Sequence, residues 1–135
     1  VGLGLVHGMA HPMGSLHDIP HGVANALLLP TIMEFNMPTR IEKYGIIAQH
    51  MGVDTTGMTP EEAAQAAVDA VRQLSVDVGI PTKLAALKEE HLSEIGITEA
   101  DIPALASQAI TDVCTPGNPR DVTEAEIIEL YKKVL

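Results

Sequence analysis

Gly4-Leu-Val-His7-Gly-Met-Ala-His11-Pro-Met-Gly14 carries no charged side chain, and Pro20-His21-Gly22-Val-Ala-Asn25-Ala resumes the same character after a short break. Across residues 1–36 the only acids are Asp18 and Glu34, and there is no Lys or Arg. A helix that is apolar on nearly every side belongs inside a protein rather than on its surface. Asp18-Ile-Pro20 reads as a turn, so this part of the chain is expected to form two buried helices, over 1–16 and 22–35. Pro12 and Pro30 fall inside them. Each lacks an N–H and crowds the carbonyl four residues back, so a kink or local unwinding is expected at both.

Outward from this stretch the pattern becomes ordinary amphipathic helix. Ile41, Tyr44, Ile47, Ala48 and Met51 repeat at the 3–4 spacing of one buried stripe, and Gly52 is a stop signal. Thr59-Pro60-Glu61-Glu62 is a helix start with Thr59 as N-cap, Pro60 as first helical residue and Glu62 closing a capping box. That helix is expected to reach Val78, where Gly79 and Pro81 end it. Thr82 to Glu90 suggests a short helix. Thr98 or Asp101 starts another that ends near Cys114. Thr115-Pro-Gly-Asn-Pro119 is a loop by composition. Thr123-Glu124-Ala125-Glu126 is a second capping box for a last helix to Val134, with Lys132 and Lys133 placed to meet the negative end of its dipole. No alternating strand pattern competes, so the fold class is all-α: a bundle-like domain, residues 1–135, with kinked buried N-terminal helices followed by amphipathic ones.

Composition agrees. Of the 135 residues 46% are hydrophobic but only 2% aromatic, so the core is aliphatic, a bias that favours helices over sheet. The net charge is −10 and no basic cluster exceeds Lys132-Lys133, which argues against nucleic acid and against an anionic membrane surface as partners. The apolar runs are too short to span a bilayer, and the start has no positively charged leader pattern. A single cysteine, Cys114, cannot form an internal disulfide and fits a reducing cytoplasm.

Four of the six histidines lie between positions 7 and 21: His7, His11, His17 and His21. His7 and His11 are four apart and share one helical face. Gly8 and Ala10 keep the surface between them small, which allows close approach. Neutral imidazole is the commonest metal ligand and suits Zn, Fe, Ni and Cu. The pair lacks the Glu of a zinc-protease motif, which excludes that chemistry. Histidines satisfied inside a core are the alternative. His17, His50 and His91 take that blander reading, since they sit among polar residues without partners.

The quoted stretch, together with Val78-Gly-Ile-Pro81, Asp101-Ile-Pro103 and Asn118-Pro119-Arg120, resembles the signature of the iron-containing (group III) alcohol dehydrogenases along essentially the whole chain. The resemblance implies the helical metal and substrate domain of a longer two-domain enzyme. It also implies hydride transfer between a primary alcohol, diol or aldehyde and NAD(P), with Fe2+ or Zn2+ polarising the oxygen. In that family an aspartate and three histidines hold the metal. His7 and His21 match the last two of these histidines. His11 matches a histidine beside the nicotinamide and substrate, implying a catalytic and cofactor-contacting role, and the loop from Cys114 to Asn118 matches the border of the substrate cleft. No Gly-rich phosphate loop is present, and the motif supplying the aspartate and first histidine is missing. The expectation is that the dinucleotide-binding domain is absent, that NAD(P) binds mainly there, and that residues 1–135 alone are inactive. The apolar faces of the first two helices predict a homo-oligomer. Two alternatives stand beside this reading: a zinc enzyme part similar to glycerol dehydrogenase or dehydroquinate synthase, and a non-catalytic helical interaction module with structural histidines.

Overall fold

The first apolar stretch forms helix α1, Gly4–His17, and the second forms α2, His21–Asn36. These elements come from a computed structural model that describes residues 3–84 and 97–135. A 3-10 turn, Met37–Thr39, leads to α3, Ile41–His50, and a loop leads to α4, Pro60–Asp77. Another 3-10 turn, Glu99–Asp101, runs into α5, Ile102–Thr111. A third, Thr115–Gly117, precedes α6, Glu124–Lys133. No strand occurs among the described residues. The short helix expected over 82–90 falls mostly outside them, as does His91.

The chain is all-α, as read from the sequence, and the helix starts follow local chemistry. Thr59 accepts from the Glu62 N–H while the Glu62 carboxylate accepts from the Thr59 N–H, and Thr123 with Glu126 repeats the arrangement. The boundary near Cys114 differs from expectation. α5 stops at Thr111, because Asp112 turns to extended backbone and its carboxylate accepts the Cys114 N–H at 2.8 Å. Pro12 and Pro30 lie inside α1 and α2 without interrupting either helix. The two helices are also not buried all round: Leu5, Met9 and Met13 are fully buried, whereas Leu16 and Leu29 remain exposed.

Among the described residues two apolar clusters form the core. The larger joins α1, α2, α5 and α6 through side chains such as Leu5, Met13, Leu28, Leu105, Ile127 and Tyr131. Each such side chain contributes roughly 1.5–3 kcal/mol by leaving water. The smaller lies between α3 and α4, around Tyr44, Ala48, Ala67 and Val68, with Met33 of α2 packed against it. α2 is therefore the common wall, touching α1 and α6 on one side and α4 on the other.

Candidate metal and proton-transfer site

The link between α1 and α2 decides where the histidines meet. Asp18 adopts a left-handed conformation, φ 52°, and its N–H donates to the Gly14 carbonyl while the Ile19 N–H reaches back to that of Met13. This left-handed closure ends α1 sharply, and buried Ile19 anchors it. Pro20, extended at ψ 131°, then starts α2 with His21 as its first residue. The chain reverses within three residues, so the N-terminal end of α2 comes to rest against the middle of α1.

The result is a triangle of imidazoles. Ring centroids lie 5.9 Å apart for His7 and His11, 5.2 Å for His7 and His21, and 5.5 Å for His11 and His21. His17, by contrast, sits at the far end of α1, and His50 is exposed at the end of α3; neither joins the triangle. The environment of the three rings differs. His7 Nδ1 is buried with no hydrogen-bond partner. Asn25, one turn into α2, places its amide nitrogen 3.0 Å from His21 Nε2, which marks that nitrogen as the one carrying a lone pair. Asn25 also donates to the His21 carbonyl at 2.9 Å, while its Oδ1 is buried without a partner. His11 Nδ1 lies 2.9 Å from an Asp112 carboxylate oxygen on the loop after α5.

A buried imidazole nitrogen with nothing to bond is costly unless something else satisfies it. The orphaned nitrogen of His7, on a ring centred 5.2 Å from that of His21, fits a divalent ion that accepts imidazole, while the His21 Nε2 lone pair accepts the Asn25 amide in this arrangement. His11 differs because its Nδ1 is already engaged.

Gly8 and Ala10 leave room for something other than a ligand. A Cβ on Gly8 would lie 2.1 Å from Thr115 Oγ1, so the close approach is made by the protein's own Thr115–Gly117 turn, and Ala10 is buried in the core. Thr115 is itself buried and donates to the Ala109 carbonyl at 2.6 Å. That turn carries Cys114 to the triangle, where one ligand atom each of His11, Asp112 and Cys114 fall within 4.8 Å of one another. A cavity of about 370 Å³ opens beside them, lined by His11, Ser15, Gln108, Thr111 and Asp112 but not by Cys114. Burial and the neighbouring Asp112 push the Cys114 thiol above its ordinary pKa, so it is a protonated thiol at neutral pH. Tyr131 locks α6 to the same part of α1 by donating to the Met9 carbonyl at 2.6 Å.

Asp112 and Asn25 are the residues that sequence reasoning missed. Asn25 stood in the quoted stretch, four residues from His21, and that spacing on a helix was the available signal. Asp112 is separated from His11 by about a hundred positions and had none.

The model of the "Fe-containing alcohol dehydrogenase family, C-terminal" matches residues 1–135. The chain is 55% identical to lactaldehyde reductase of Escherichia coli (strain K12), an alignment covering 97% of this chain and 32% of that protein. It is 43% identical to 1,3-propanediol dehydrogenase of Citrobacter freundii, again over 97% and 32%. Among solved structures, a 1,3-propanediol oxidoreductase superposes with a TM-score of 0.90 at 40% identity, covering 98% of this chain and 33% of that one. An alcohol dehydrogenase from Oenococcus oeni superposes with a TM-score of 0.86 at 36% identity, with the same coverage. The chain thus spans about a third of the length of the relatives it matches.

Proposed function

Because the chain belongs to the iron-containing alcohol dehydrogenase family, as its C-terminal part, we propose that it supplies the metal and substrate side of an NAD(P)-dependent dehydrogenase acting on a primary alcohol, a diol or the corresponding aldehyde. The observation that carries the reading is the convergence of three imidazoles from two helices on one point, one of them with an orphaned buried nitrogen.

His7 and His21 are the residues that would hold Fe2+ or Zn2+. When bound, the ion supplies Lewis-acid polarisation of the substrate oxygen and the nicotinamide supplies the hydride chemistry. The chain's own part is positioning and proton handling. His11, one helical turn from His7, takes or returns the alcohol proton and orients the substrate against the nicotinamide. The protonated Cys114 thiol borders the substrate cleft as a small, weakly polar surface. Two imidazoles are fewer than the three protein ligands of a catalytic site, so residues 1–135 on their own bind metal weakly and form no NADH from an alcohol.

Metal analysis of the full-length protein tests this. His7→Ala and His21→Ala each lower metal affinity by about 100-fold or more, beyond the 10–100-fold typical of outer partners, with helical circular dichroism retained. His50→Ala leaves metal content unchanged. Full metal retention in both site variants would overturn the assignment.

A further inference from the structure

We propose that Asp112 is the positioning residue for His11: its carboxylate fixes the ring in the Nδ1–H form and leaves Nε2 as the nitrogen that exchanges a proton with substrate, the last clause resting on the dehydrogenase reading above. The hydrogen bond is 2.9 Å long and joins α1 to the loop after α5. A carboxylate can only accept, so the ring must donate, and a neutral imidazole that donates from Nδ1 keeps its lone pair on Nε2.

Asp112 is itself held in place. Its other oxygen accepts the Cys114 N–H at 2.8 Å, and its side chain is largely buried. Burial pushes its carboxyl pKa up, but the Cys114 N–H and the His11 ring pull it down further, and the net is below the ordinary aspartate value. The group is therefore an anion at neutral pH, which is the form that orients an imidazole and stabilises it when it takes a proton.

The Cys114 sulfur lies close enough for the three side chains to suggest a second metal cage. The hydrogen bonding argues otherwise. Both Asp112 oxygens already have protein donors, and His11 Nδ1 is one of them. The cluster is complete as a relay without an ion, unlike His7, whose Nδ1 is unpaired.

The test uses the full-length protein. Asp112→Asn is the informative variant because its amide oxygen still accepts from Cys114 N–H, preserving the turn, while its amide nitrogen cannot accept from His11. Nitrogen NMR of histidine-labelled, zinc-exchanged protein reads the tautomer directly. The His11 signals report Nδ1–H in the parent and move toward Nε2–H in the variant. In turnover, kcat falls about 10–100-fold, the range for a lost outer partner, with KM little changed, and Asp112→Glu restores part of the loss. On a His11→Ala background Asp112→Asn adds almost nothing, as expected of residues acting as one unit. An unshifted tautomer, or an undiminished loss on the His11→Ala background, would overturn the proposal. If the dehydrogenase reading itself failed, the parent would show no turnover, and the tautomer measurement would still decide whether Asp112 positions His11.

Discussion

The helix pair α1/α2 and the helix pair α3/α4 solve the same packing problem by opposite means. α3 and α4 present one apolar stripe each, α4 opens with a complete capping box, and the small cluster between them is built from alanines, Val68 and Tyr44. α1 and α2 have prolines inside them and no side-chain cap at either N-terminus. Distant residues complete them instead. Asn118 Oδ1 accepts from the Leu5 N–H at 3.4 Å and from the buried Asn36 amide at 2.9 Å, while its own amide returns a bond to Asn36 Oδ1 at 2.7 Å. Arg120 donates to the Phe35 carbonyl at 2.7 Å and lies 4.0 Å from the centre of the Phe35 ring. The pair that follows local rules holds none of the three clustered imidazoles. The pair that depends on the rest of the fold carries all three imidazoles.

Substitutions can break this contrast. The largest expected effect is at Asn118. Asn118→Ala strips the buried Asn36 amide and the first turn of α1 of their partners, and leaving such groups unsatisfied costs about 2–4 kcal/mol in urea unfolding. The matching side-chain bond in the other pair, Gln49 to Thr55, is exposed, and Gln49→Ala stays within about 0.5 kcal/mol. Equal costs at the two sites would remove the distinction.

Two helical glycines sharpen it next. Gly8→Ala drives a methyl into Thr115 and destabilises by about 1–3 kcal/mol through overpacking. At Gly45 of α3 the nearest atom to an added Cβ is the Ala63 methyl at an ordinary 3.6 Å, so Gly45→Ala stabilises by about 0.5–1 kcal/mol from lower backbone entropy in the unfolded chain. Thermal melts of both variants check the opposite signs, and a shift of the same sign in both would refute the comparison.

A purely local effect belongs to the α3/α4 pair. Thr59→Ala removes the cap and costs about 1 kcal/mol, without altering metal content or turnover. A change in turnover would show that α4 reaches the site after all.

This difference explains what could be read early. Helix starts at Thr59 and Thr123 and the stops at Gly52 and Gly79 were legible because each signal acts within about four residues. So was the Asp18–Pro20 reversal that sets His21 near His7, since the turn lies between them in sequence. The end of α5 was misplaced because Asp112, not the proline-rich loop after it, stops the helix by capturing the Cys114 N–H. The small surface at Gly8 signals a close approach, but which group makes it is not legible, because that group is Thr115, more than a hundred residues away.

The sequence by itself determined an all-α fold, two largely apolar N-terminal helices and the tight turn between them, because those follow from periodicity and local turn chemistry, while the family resemblance implied that His7 and His21 share a site. Only the tertiary structure decided which of the three clustered imidazoles is free and which is tethered. That distinction depends on a carboxylate at Asp112 that packing, rather than chain proximity, delivers to α1.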